Sequence, residues 1–444
     1  MKSLKEKFYD NNLNIITQLS SEMKKYVSNT GYMFFGKIIN RVLSLVVGIY
    51  VARYLGPEDY GLLSYAQSFV SLFGVFVGLG LNDILVRELV NNPENENVLL
   101  GTAFSLKIAV GSFVTLIVIA LGILINDDKT TQYLIIICSG TIFFQFAKVF
   151  DYWFQAKVLA KYSEIANVIT FILVSLLKVA FIILSLSVIF FAIAILVSSL
   201  IRLLLLGWQF VRREEKFKPL NFNYNIAKNL LKDSWPLIIS GLNIIIAMKI
   251  DQIMIKEMLD ASSVGIYAVG VKLADSASFL PVIVATSLFP KLVELNGTQR
   301  FWTRYGQIFK YFLWPFIGIA IIIGVSSESI IQFLFGHEYI NAWPVLVIYI
   351  WTLPLSFIGI MTNKYLLLIN KTKAIFFRQL LVGSLNITLN LFLIVKFGII
   401  GAAFSTVIPQ LVVNIFYDFY DKDLRQVLFV KLNTLSFGIF KIER

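Results

Sequence analysis

Residues 31–78 read GYMFFGKIINRVLSLVVGIYVARYLGPEDYGLLSYAQSFVSLFGVFVG, two apolar runs that meet at Gly56-Pro57-Glu58-Asp59. Those four residues favour a turn. A helix crossing about 30 Å of hydrocarbon needs about 20 residues, so the stretch holds two spans, starting near Gly31 and Tyr60. Further runs of spanning length start near Val98, Tyr133, Ile165, Val188, Pro236, Val264, Ile308, Ala342, Ala374 and Gly398. The segment from Ile165 to Phe210 is too long for one span and divides at Ser185-Leu186-Ser187 as a tight helical hairpin. The periodicity predicts an all-α polytopic membrane protein with about 12 transmembrane helices.

Composition agrees. The 444 residues are 57% hydrophobic and 15% charged, against about a quarter charged in a soluble domain, and the mean hydropathy is +0.77. One cysteine, Cys138, and one histidine, His337, exclude disulfide frameworks, Cys/His zinc sites and triads needing a second imidazole. The net charge of +12 does not read as nucleic-acid binding, because the basic residues lie between apolar runs and form no patch on a soluble fold. No Gly-rich loop ending in Gly-Lys-Ser/Thr occurs, so the chain itself is not expected to hydrolyse ATP. No cofactor and no metal are expected.

Lys and Arg set the orientation. They crowd alternate connections, from Lys2 to Lys25, Arg212 to Lys232, Lys291 to Lys310, Lys364 to Lys373 and Lys422 to Arg444; the other side offers only Lys129 and, at span ends, Arg53, Lys256 and Lys396. Both termini are therefore expected in the cytoplasm. The longest basic connection follows the sixth span and separates two lobes. This divides the chain into a cytoplasmic tail (1–29), a first lobe (30–211), a cytoplasmic linker (212–235), a second lobe (236–420) and a cytoplasmic tail (421–444). EDYGLLSYAQS and SSVGIYAVGVK form a faint internal echo that puts Gly61 and Gly265 at matching places in the two lobes; parallel repeats are a transporter architecture.

Several charges fall where charge is costly, about 2.5–3.5 kcal/mol each at mid-bilayer on insertion scales. With Gly31 at the inner edge, Lys37 lies about 9 Å and Arg41 about 15 Å deep on one helix face. Lys249 is about 18 Å from the inner edge at Leu237, and Lys272 about 12 Å from the outer edge at Val264. Lys107 and Lys178 are also deep. Only Asp251 and Asp275 oppose these cations, so pairing alone cannot neutralise them, and an unpaired buried cation needs water or an anion. Lys37, Arg41, Lys249 and Lys272 are the candidates for gripping an anionic headgroup at the midplane. For each, pairing with an acid or a helix-end carbonyl is the structural alternative. Lys272 and Asp275, three apart on one face, can form a pair, static or broken by a proton or cation. Asp251 and Asp275 are the candidates for ion coupling. Arg53 is expected to pair with Glu58 and Asp59, and His337 to lie at the surface. KLVELNGTQRFWTRYGQIFKYF, near residue 300, suits a helix resting on the anionic inner leaflet.

Three stretches carry a family resemblance: RVLSLVVGIYVARYLGPEDYGLLSYAQSFVSLFGVFVGLGLNDILVREL (41–89), FLFGHEYINAWPVL (333–346) and NITLNLFLIVKFGIIGAAFSTVI (386–408). The first is the most specific. Together they resemble the polysaccharide-transporter branch of the multidrug, oligosaccharidyl-lipid and polysaccharide exporter superfamily, which includes the O-antigen flippases of bacterial inner membranes. The resemblance implies two six-helix lobes forming a V that opens alternately to either face. It implies movement of an undecaprenyl-pyrophosphate-linked oligosaccharide from the inner to the outer leaflet, its lipid tail left among the membrane lipids, with coupling to a proton or sodium ion. A polysaccharide polymerase and a chain-length regulator follow as partners. Asn40, Asn243, Asn386 and Asn390 become candidates for hydrogen bonds to sugars, with helix packing as the alternative. A drug or cation antiporter of the same superfamily is disfavoured by like-charge repulsion in the lumen. A membrane polymerase or glycosyltransferase is disfavoured because the longest outer connection, Ser326 to Asn341, leaves little room for an acceptor; a non-enzyme is expected.

Overall fold

Within lipid each backbone N–H and C=O must be paired inside its own segment, so apolar runs of this length fold as helices. The computed structural model describes residues 2–213, 221–298 and 300–435, with side chains from residue 40 onward; all regular structure among them is helical. The first half contains α1 (Lys2–Gly78), α2 (Leu81–Asn91), α3 (Glu96–Ile125), α4 (Lys129–Phe143), α5 (Lys148–Ala156), α6 (Ala160–Ile183) and α7 (Val188–Val211). The second contains α8 (Tyr224–Met258), α9 (Ala261–Ala277), α10 (Phe279–Leu295), α11 (Arg300–Val325), α12 (Ser327–Phe335), α13 (Trp343–Tyr349), α14 (Thr352–Leu368) and α15 (Thr372–Leu411). Two short helices close the chain, α16 (Tyr417–Tyr420) and α17 (Arg425–Leu435).

Among the described residues, ten helical stretches are long and apolar enough to cross a bilayer, and two of them reverse direction. In α1 the break is Gly56, with φ +72° and ψ 173°; in α15 it is Gly398, with φ +59° and ψ −139°. Both lie where a Cβ is disfavoured. Asn386 Nδ2 reaches the Ser405 carbonyl at 3.1 Å across 19 residues, which a straight helix would hold about 28 Å apart. Each reversal adds one segment to the ten. The hairpin expected at 185–187 is present: α6 ends at Ile183, Ser185 has φ +53°, and α7 begins at Val188.

The apolar cores define the overall shape. One core joins the halves, running from Val51, Tyr60 and Leu134 to Tyr267, Tyr339 and Ala402. These residues cluster toward the connections at Gly56, Asp128, Asp260 and Gly398. At the other end, where Lys and Arg are concentrated, each half keeps its own core: Leu81, Leu100, Trp153 and Phe210 in the first, Phe301, Tyr305, Phe357 and Leu424 in the second. The halves are therefore fused at one end and separate at the basic end, a V. Large apolar side chains such as Leu116, Leu124, Val325 and Phe333 remain exposed on its outside, as lipid contact requires.

Helix α8 bridges the two arms, and here the linker expected over 212–235 is partly corrected. The helix starts at Tyr224, where the side chain of Asn223 accepts from the N–H groups of Asn225 and Ile226. Its first turns pack Leu230 into the first half's core, and Arg87 pairs with Asp233 at 3.1 Å. Its later turns hold Asp251 inside the second half. The segment near residue 300 also differs from expectation. Phe301, Tyr305 and Phe309 are buried on α11, the first two against the Tyr365 ring and Phe309 against Phe357, so those aromatics build the second half's core, not a leaflet contact.

Candidate functional site

Between the arms lies a cavity of about 340 Å³ whose lining includes Arg41 and Tyr60 of α1, Lys178 of α6, Lys249 of α8, and Lys272 and Asp275 of α9. Among the described residues, four cations face one carboxylate there. None of the four forms an ion pair with a carboxylate among the described residues. Arg41 instead donates to the Asp275 carbonyl oxygen at 3.2 Å and to Ser278 Oγ at 3.0 Å. Lys272 Nζ donates to the Tyr60 hydroxyl at 3.1 Å, so the expected Lys272–Asp275 pair does not form. The charged groups acting on the Asp275 carboxylate are Lys249 and Arg41.

Three of the expected anion-binding residues, Arg41, Lys249 and Lys272, thus come together from three helices. The side chain of Lys37 lies outside the described residues. Lys178 joins them; its mid-depth position in α6 was the signal for it. Asn40 is half-buried one residue before Arg41, with Oδ1 unpaired among the described residues. Asn243 packs elsewhere, its Oδ1 2.4 Å from where a Cβ on Gly383 would sit, a contact between α8 and α15. Lys107 follows the structural alternative: fully buried, it caps the end of α1 by donating to the Val77 and Gly78 carbonyls, both at 3.2 Å. Arg53 makes no pair with Glu58 or Asp59; its Nε lies 3.9 Å from where a Cβ on Gly336 would sit. His337 is exposed, as expected.

The two acids separate in space. Asp275 belongs to the cavity wall, whereas Asp251 is buried inside the second half. Four neutral donors hold it: Tyr267 at 2.6 Å and Thr406 at 2.5 Å on Oδ2, Asn390 at 2.6 Å and Asn386 at 3.1 Å on Oδ1. Asn386 and Asn390 are therefore neither sugar ligands nor simple packing residues. Among the described residues, Asn390 Oδ1 is buried without a partner. The result is a sealed carboxylate in an oxygen-rich nest, with no cation among those partners.

The model of the polysaccharide biosynthesis protein family matches residues 26–296, which contain all four cavity cations. The chain belongs to this family. As a member of it, the protein is 24% identical over 414 residues to the capsular polysaccharide biosynthesis protein CapF of Staphylococcus aureus, covering 89% of this chain and 99% of that one. Among solved structures, the fold is similar to the lipid II flippase MurJ in an inward closed conformation (TM-score 0.73, 17% identity, 94% of each chain). It is also similar to an inward-facing multidrug resistance MATE transporter (TM-score 0.68, 16% identity, 90% of this chain and 96% of that one). This family member is a multi-pass bacterial membrane protein with the all-helical fold of alternating-access transporters.

Proposed function

We propose that the protein is a flippase that moves a polyprenyl-pyrophosphate-linked oligosaccharide, a polysaccharide repeat unit, from the inner to the outer leaflet of the bacterial plasma membrane. The observation that carries this reading is the cavity with four cations and one carboxylate. At about 4 Å and an effective dielectric of about 20, one charge contact is worth about 4 kcal/mol, and a pyrophosphate would make several at once. The same field repels a cationic drug by a similar amount, which decides against the antiporter alternative. The V leaves the cavity reachable from the basic end, the cytoplasmic face by the charge rule. Both termini lie on that face in this reading, and the lobes tilt to expose the cavity alternately. The lipid II flippase MurJ has a similar fold, and the relative CapF is a capsular polysaccharide biosynthesis protein.

The Asp251 nest is the coupling site in this reading. A buried carboxylate without a cationic partner is costly, and a proton or a sodium ion arriving as co-substrate would neutralise it. The unpaired Asn390 Oδ1 and the oxygens of Asp251 and Thr406 suit a small hard cation.

In sealed vesicles, the purified chain should transfer a fluorescent polyprenyl-pyrophosphate-linked sugar between leaflets. Arg41→Ala combined with Lys249→Ala should slow transfer about tenfold or more, about 1.4 kcal/mol at least. Transfer no faster than in protein-free vesicles, or undiminished in the double variant, rules the reading out.

A further inference from the structure

The four cavity cations are not equivalent. Arg41 donates to the Asp275 carbonyl and to Ser278 Oγ, nearer the open end. Lys272 lies three residues closer to the fused end on α9, in a notch over Gly48 where an added Cβ would meet its Nζ at 1.8 Å. From Arg41 to Gly48 the α1 axis rises about 10 Å, so the cavity has two cationic levels. At the second level the only hydrogen bond of Lys272 among the described residues goes to a neutral phenol, Tyr60, whose ring centroid is 5.5 Å from Nζ. Lys178, another ammonium, lines the same cavity five residues before α6 ends at Ile183, where the Leu186 carbonyl of the hairpin accepts from the Tyr54 hydroxyl at 2.9 Å, at the fused end.

Tyr60 adjoins the seam that fuses the halves. A Cβ on Gly61 would meet the Ala261 carbonyl oxygen at 1.8 Å, and one on Gly265 would meet the Pro57 carbonyl oxygen at 1.9 Å. The Tyr60 ring packs edge-on against Tyr339 at 6.4 Å, and the Tyr339 hydroxyl donates to the Ala52 carbonyl at 2.8 Å. Lys272 therefore touches both the cavity and the residue that braces its closed end.

We propose that Lys178 and Lys272 form a second phosphate station at the closed end of the cavity, and that a pyrophosphate arriving there draws Lys272 away from Tyr60 and loosens the Gly61/Gly265 seam. This rests on the flippase reading. Two ammonium groups lining one end of a cavity repel until an anion bridges them, and a charge-assisted bond to phosphate is roughly twice as strong as one between neutral groups. The first station loads the substrate from the open end. Occupancy of the second is the signal to open the other.

The test uses the full chain carrying Cys138→Ser and a reporter Ser64→Cys, since Ser64 lines the cavity one turn past Gly61. Inorganic pyrophosphate binding is measured by calorimetry, transfer in vesicles, and outside exposure by an impermeant maleimide on intact cells. Arg41→Ala should weaken pyrophosphate about tenfold, whereas Lys178→Ala should weaken it less than about threefold yet slow transfer and reporter labelling about tenfold. Lys178→Arg should restore both. Tyr60→Phe should raise labelling. Pyrophosphate affinity falling equally in Lys178→Ala and Arg41→Ala would mean a single station and end the proposal, as would wild-type transfer in Lys178→Ala or unchanged labelling in Tyr60→Phe. A wild-type chain that neither binds pyrophosphate nor transfers lipid overturns the flippase reading itself.

Discussion

Asp251 and Asp275 are both mid-depth aspartates in the sequence, and their surroundings give them different work. Asp275 tempers a cluster of cations that it cannot neutralise. Among the described residues Asp251 meets hydroxyls and amides, so its charge depends on what reaches it from outside the chain. Asp251→Asn keeps the volume and most donors paired, because the Tyr267 and Thr406 hydroxyls can turn to accept; it should cost about 1–3 kcal/mol of stability. Transfer should then lose its response to an imposed proton or sodium gradient, while pyrophosphate affinity in the separate cavity stays within about threefold. An undiminished gradient response in this variant takes Asp251 out of the coupling. Asp251→Leu strands four buried donors and should cost about 3–5 kcal/mol, read as a lowered melting temperature.

At the scale of elements, α17 fastens the second half. Lys431 donates to the Asn414 carbonyl at 2.8 Å and to Asp418, which Arg378 also grips, and Trp314 Nε1 reaches the Thr434 carbonyl at 3.2 Å. Two cations share one buried carboxylate. Burial pushes the Lys431 ammonium, which lies beyond the last span, down to about 8, with Arg378 acting in the same direction against the pull of Asp418. A free lysine titrates near about 10.4. Between those values the undocked helix binds the proton that the docked helix has released, so docking strengthens as pH rises, by up to about tenfold per unit. Proteolysis of the tail should slow from about pH 8 to about pH 10, and Lys431→Met should flatten that dependence. Cleavage independent of pH in the wild type counts against the titration. Depth arithmetic made Arg41, Lys178, Lys249 and Lys272 legible in the sequence, because position along a spanning helix is position across the bilayer. The carbonyl partners of Lys107 and the Asp251 nest were not legible. The bond from Thr406 to Asp251 joins residues 155 apart, and no periodicity encodes which helix faces will meet.

At the scale of the whole molecule, the internal echo of the sequence becomes a contact. Gly61 and Gly265, the two glycines of that echo, press against each other's helices so closely that each would-be Cβ falls within 2 Å of a backbone oxygen. Backbone cannot yield as a flexible side-chain tip can, so any side chain at either place must push α1 and α9 apart. The two glycines sit in the core that fuses the arms, the one region that has to open if the cavity is to face the other way. Gly265→Ala should therefore penalise the present arrangement by about 1–3 kcal/mol, the usual cost of overpacking. A state with the seam parted carries no such penalty, and the population should move toward it about fivefold to a hundredfold. Labelling of the Ser64→Cys reporter from outside intact cells should rise accordingly, without added substrate. Should labelling stay at the wild-type level in a correctly inserted Gly265→Ala protein, the Gly61/Gly265 seam would not be the place where the V opens.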